Sequence, residues 1–178
     1  MKTLKHFYPF VLLFMLLGFT QCEVTSIVDQ SINSKAIYFD IPPMEAGDYI
    51  LNEDITLNFD SLISEFEFGM INITSVTPRS ATLYIIDDAN SPATFDIIDN
   101  VEIGMESSAI PSRKIAWKNP VPQTGLITLS MDVNKTNNVL DFANANTVTV
   151  NLKAKVNAAL THPVQMKAII KYRIIAEL

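Results

Sequence analysis

Thr147–Val156 reads TVTVNLKAKV, and Val164–Ala176 reads VQMKAIIKYRIIA. In the first stretch Val148, Val150, Leu152, Ala154 and Val156 alternate with Thr147, Thr149, Asn151, Lys153 and Lys155. In the second, Val164, Met166, Ala168, Ile170, Tyr172 and Ile174 share one phase, with Gln165, Lys167, Lys171 and Arg173 on the other. Side chains on a strand point to opposite faces in turn. A period of two with one apolar phase therefore marks a strand buried on one side only. That is the antiparallel pattern; strands of a parallel sheet are covered on both faces.

The same period runs outward through the chain. Ile55, Leu57 and Phe59 alternate with Thr56 and Asn58; Val101, Ile103 and Met105 alternate with Glu102 and Gly104; Ile127, Leu129, Met131 and Val133 alternate with Thr128, Ser130 and Asp132. Shorter candidates are Ala36–Ile41, Ile71–Val76, Ala81–Ile86 and Arg113–Trp117. Pro42-Pro43, Thr77-Pro78, Asn90-Ser91-Pro92, Ile110-Pro111, Asn119-Pro120 and His162-Pro163 punctuate them as turns. No long helical pattern intervenes. The expected fold is an all-β, antiparallel β-sandwich, immunoglobulin-like or jelly-roll-like, of about eight or nine strands. A closed barrel is the alternative. Phe59–Ile63, Phe95–Asp99 and Leu140–Asn144 each place Asp after an apolar residue. They are expected to be single helical turns between the sheets, capped by that Asp. Bulky inward residues, among them Phe59, Ile127, Leu129, Met131, Leu152, Met166 and Tyr172, should fill the interior, with Trp117 in the core.

Composition sets the limits on chemistry. The chain has 178 residues, 48% of them apolar and 18% charged, which suits one folded domain. One cysteine excludes an internal disulfide framework. Five glycines lie far apart, so no glycine-rich phosphate loop can form.

The N-terminus carries an address. Lys2 and Lys5 precede an apolar run, Phe7–Leu17, broken only by Pro9. The run is too short to cross a bilayer as a helix but suits the apolar part of a signal peptide. Gly18, Phe19, Thr20 and Gln21 then lead to Cys22, the sole cysteine. This segment resembles a bacterial lipoprotein signal, in which the cysteine is acylated and becomes the first residue. Thr20 fits the small-residue position before the cysteine; Phe19 and Gln21 depart from the usual pattern. With a polar stretch and a sandwich behind it, the layout resembles that of Bacteroidota envelope lipoproteins. The resemblance implies residues 1–21 as signal peptide, 22–34 as lipid anchor and tether, and 35–178 as the domain. It also implies export, a lipid on Cys22 and anchorage in the envelope at the outer membrane.

Removing residues 1–21 leaves His162 as the only histidine. That excludes Cys–His nucleophilic chemistry and a Cys/His zinc site within one chain. No G-x-S-x-G elbow occurs. Asp87-Asp88, Asp96 with Asp99, and Glu53-Asp54 supply carboxylates, but without the loop spacing of a calcium site. No catalytic residue, metal site or cofactor is therefore expected, and the protein reads as not an enzyme.

Charge is the more informative signal. Residues 23–142 hold 18 acids and 6 bases, and residues 143–178 hold 5 bases and 1 acid. The five bases are Lys153, Lys155, Lys167, Lys171 and Arg173, all on the polar phases of the last two strands. If those strands form a hairpin, the bases share one surface, a face for an anionic glycan, lipid or protein. The overall negative charge argues against nucleic acid. The expected function is a non-catalytic envelope lipoprotein, a binding or accessory, adhesion-type module. A lipid or hydrophobic-ligand carrier is one alternative and needs an interior cavity of several hundred Å³. A pilus or fibre subunit is the other and needs a terminal strand, Val164–Ala176, free for exchange.

Overall fold

The structure, a computed structural model, describes residues 27–55, 72–87, 93–143, 145 and 147–177. Its strands are β1 (Ile27–Asn33), β2 (Ile37–Ile41), β3 (Gly47–Ile55), β4 (Asn72–Ile86), β5 (Ile98–Glu106), β6 (Arg113–Lys118), β7 (Thr128–Val133), β8 (Val148–Val156) and β9 (Val164–Glu177). A 3-10 turn at Phe95–Ile97 precedes β5, and a one-turn helix, α1 (Leu140–Ala143), precedes β8. The fold is all-β, antiparallel and sandwich-like.

One hydrogen-bonded path orders the strands β1-β9-β4-β7-β6-β5-β8-β3, with β2 also on β9. The path turns over at β7. Thr128–Met131 pair with Tyr84–Ala81 of β4, whereas Asp132 and Val133 pair with Trp117 and Ala116 of β6. The first layer is thus β1 and β2 end to end along one edge of β9, then β4 and the start of β7. The second layer runs from the end of β7 through β6, β5 and β8 to β3. No ladder joins β2 to β3 among the described residues, which leaves the described sheet open along that seam.

The apolar phases meet between the layers. Val164, Met166, Ala168, Ile170, Tyr172 and Ile174 of β9 are buried, as are Val148, Val150, Leu152 and Val156 of β8. The Tyr172 hydroxyl crosses the layers and donates to Met105 Sδ of β5 at 3.6 Å. Each such aliphatic or aromatic side chain contributes roughly 1.5–3 kcal/mol on burial. Among the described residues the void between Ile41, Ile85, Leu152, Val156 and Met166 is only about 20 Å³. An acyl chain does not fit there.

Several expectations are corrected. β8 and β9 do not form a hairpin: they lie in different layers, β8 between β5 and β3, and β9 between β1/β2 and β4. A period of two fixes which face is buried, not which strand is the neighbour. β9 is paired on both edges, so it is not a free donor strand. The segment expected to be a tether supplies β1, whose Val28–Asn33 pair with Ala176–Lys171. The described part of the first of two expected strands, Asn72–Val76, and Ala81–Ile86 belong to one strand, β4, with irregularities between Ile73 and Ser75 and between Pro78 and Ser80; Ile71 lies outside the described residues. Proline, lacking an N–H, is tolerated at such a bulge. Ile127 is 53% exposed, ahead of β7 at the rim. A bulge in β6 buries both Ile115 and Ala116 and leaves Trp117 half-buried opposite Glu102 and Asp132.

The short turns form at Phe95–Ile97 and Leu140–Ala143, but Asp is not their cap. A cap precedes the first helical residue, and each Asp is the second helical residue, two positions too late. Thr94 Oγ1 accepts the Asp96 N–H instead, and Asn138 Oδ1 accepts those of Leu140 and Val76. Asp96 takes the Gly125 N–H on both oxygens, at 2.9 and 3.0 Å. Gly125 has φ 69°, a conformation that favours glycine. Asp141 pairs with Arg113, which also donates to Asn138 O and lies over the Phe142 ring. Phe59–Ile63 and Cys22 lie outside the described residues.

Candidate functional site

At one rim of the first layer β2 ends, β4 ends and β9 begins. Ile41 faces Val164, and Asp40 and Ile86 flank Gln165 from either side. Asp40, Gln165 and Ile86 therefore form one row on the outer face. The Gln165 amide donates to Asp40 Oδ1 at 2.8 Å. One row further along, Tyr38, Lys167 and Tyr84 stand side by side, with Lys167 Nζ 4.7 Å from the Tyr84 ring centre. Tyr38 is 45% exposed.

A second polar pair closes the row. The chain leaves β4 at Asp87, whose carboxylate is 4% exposed. Asp87 Oδ2 accepts the Ala93 N–H at 2.6 Å and faces His162 Nε2 at 2.9 Å. The bond places a proton on Nε2, because the carboxylate only accepts. The ring is then oriented, with Nδ1 3.5 Å from the neighbouring Thr161 hydroxyl. Pro42 and Pro163 frame the opening. Together these residues line an open cleft of about 670 Å³ with Ile41, Ile86 and Val164 as its apolar wall. Its polar groups are preformed, each held by a partner, with His162 partly exposed and the Asp87 carboxylate buried behind it.

The five C-terminal bases do not share a surface. Lys153 and Lys155 lie on the outer face of the second layer; Lys167, Lys171 and Arg173 lie on that of the first. Lys153 Nζ is 3.9 Å from Glu102, which also pairs with Lys114 at 2.5 Å. Lys155 pairs with Asp99 at 3.5 Å. Arg173 grips Asp29 of β1 in bidentate fashion, at 2.9 and 2.7 Å. The guanidinium holds the Asp29 carboxyl below its ordinary range, chiefly by that hydrogen bond, and Asp29 raises Arg173 in return. Lys171 shows no ion pair among the described residues. Bases on opposite faces, mostly neutralised at close range, do not make the shared anion-binding stripe expected of a hairpin.

Four of the carboxylates singled out for calcium are engaged with protein donors. Asp87 holds His162, Asp96 holds Gly125, and Asp99 accepts from Asn157 at 2.9 Å. Asp54 accepts from Thr149 Oγ1 at 2.6 Å. Asp88 lies outside the described residues.

Sequence reading passed over the cleft. Asp87 and His162 are 75 residues apart, and Asp40 and Gln165 are 125 apart. The available signal was that Asp40 and Gln165 fall on the polar phases of strands ending at Pro42 and starting after Pro163. Only the register brings them together.

No family model matches the chain, and no curated protein matches it. A solved structure titled Desmodium yellow mottle tymovirus aligns over 86% of this chain and 89% of that one, at 9% identity and a TM-score of 0.31. A likeness at that level says nothing about what the protein does.

Proposed function

We propose that the protein is a non-catalytic binding module, anchored in the bacterial envelope by lipid on Cys22 at the outer membrane, which takes its ligand at the rim cleft. The observation that supports this is the cleft itself. Two preformed polar pairs, Asp40–Gln165 and Asp87–His162, stand beside an apolar wall in an open concavity of about 670 Å³. Binding sites combine those features: concavity, apolar lining and a few fixed polar groups. The anchor rests on the signal-like segment ending in the sole cysteine.

The chemistry favours a hydroxyl-rich, uncharged ligand, an envelope glycan. Asp40 and Gln165 offer adjacent planar acceptors and donors to neighbouring hydroxyls. Tyr38 offers an exposed ring face one row away. The carboxylates of Asp40 and Asp87 disfavour an anionic ligand in the cleft.

The test is calorimetric titration with neutral oligosaccharides released from the envelope of the source cell. Gln165→Leu and Tyr38→Ala should each weaken binding about tenfold or more, the effect of losing a hydrogen bond or stacked ring. Lys153→Glu with Lys155→Glu, on the other layer, should leave it unchanged. Wild-type affinity in both cleft variants would overturn the assignment.

A further inference from the structure

Ile27, the first described residue after Cys22, and the cleft lie toward opposite ends of β9. Five peptide links separate Cys22 from Ile27, where β1 begins. Even fully extended they reach no more than about 18 Å. Ile27 pairs with Glu177, and Asn72 pairs with Glu177 from the other side. With Cys22 acylated, the link holds the rim formed by Ile27, Asn72 and Glu177 within about 18 Å of the bilayer. The cleft stands at the other end of β9, at Val164 and Gln165. The 14 residues of β9 put roughly 40 Å between the two ends.

Two further observations favour an upright stance over one lying flat. From Cys22 onward the chain carries a net charge of −8, which an anionic leaflet repels. Upright, only the narrow rim approaches the lipid. Ile27, at that rim, is 69% exposed, an apolar side chain placed where the membrane interface would cover it.

We infer that the cleft opens away from the anchoring bilayer, about 40 Å from it along β9, and receives a ligand that is not part of that leaflet. A lipid headgroup of the anchoring membrane is excluded as its ligand. The inference rests on the lipid anchor at Cys22.

The test uses the full chain in vesicles of phosphatidylethanolamine and phosphatidylglycerol doped with a lipid carrying a headgroup nitroxide. Acylation occupies the native thiol, so single new cysteines can carry a fluorophore. Asn72→Cys marks the anchored rim, Ser130→Cys the outer face of the first layer, and Ala159→Cys the loop beside the cleft. All three positions are exposed. Quenching should be strong at 72, weaker at 130 and at least tenfold lower at 159 than at 72. Equal quenching at 72 and 159, in protein whose intact mass shows acylated Cys22, would overturn the orientation alone. An unacylated mass would overturn the anchor, and the inference with it.

Discussion

Gly104 and Asn151 face each other across the β5–β8 ladder on the outer face of the second layer. Asn151 is 3% exposed, and its Oδ1 accepts no hydrogen bond among the described residues. Its amide lies over Gly104, which has no side chain in the way. A methyl group at 104 would stand 2.4 Å from Oδ1 and 3.2 Å from Cγ. Asparagine is short and this one is buried, which leaves its amide little room to turn aside. Overpacking of this kind costs about 1–3 kcal/mol, despite the roughly 0.5–1 kcal/mol that alanine ordinarily gains over glycine in a strand. Gly104→Ala should therefore destabilise by about 2 kcal/mol, close to 1 M in the urea midpoint. Asn151→Ala removes a buried oxygen without a partner and should be nearly neutral. The double variant should regain the stability of Asn151→Ala, giving a coupling of about 2 kcal/mol. Urea unfolding followed by the single tryptophan, Trp117, reads all four proteins. A neutral or stabilising Gly104→Ala, or additive effects, would refute the reasoning.

Other predictions follow from particular side chains. Leu83 is fully buried between Leu129 and Ala168, so Leu83→Ala should cost about 3 kcal/mol in the same assay, a cavity-forming loss. Burial pushes the Tyr172 hydroxyl well above its ordinary value. Stability from this group is complete below about pH 10 and falls as pH rises above it, because the unfolded chain ionises first. Tyr172→Phe should lose that alkaline slope; an identical slope in both proteins would contradict the burial argument. Asp29 is shifted the other way, so its contribution is present above about pH 4 and lost as pH falls below it. Both partners are exposed, and Asp29→Asn should change low-salt acid melting while leaving high-salt melting alone. Arg113→Ala removes the side chain holding Asn138, Asp141 and the Phe142 ring. Hydrogen exchange at Val139 and Phe142 should accelerate at least tenfold, with the amides of β9 unchanged.

β8 and β9 show what the sequence made legible. Their strict alternation defined both strands to within a residue; the inward phase is the buried one throughout β9 and, apart from half-buried Ala154, in β8, where Asn151 is buried as well. β1 escaped because it has no strict alternation: its Asp29, Gln30, Ser31 and Asn33 sit in an edge strand with little to bury. β4 looked like two strands because Pro78 and Arg79 interrupt its period at a bulge. Trp117 was misplaced for a related reason, since one extra residue in β6 reverses the phase after Ile115. Neighbour relations were not legible at all. The basic stripe depended on a β8–β9 hairpin, and the layers separate those strands. The cleft depends on ladders between residues up to 125 positions apart, which alternation does not encode.

Intact mass and membrane fractionation of the native protein, beside a Cys22→Ala variant, test the anchored module most directly. The expected result is a mature chain beginning at acylated Cys22, found in the outer membrane and released from it by the substitution. A soluble, unacylated chain, with the variant fractionating as the native protein does, would contradict it.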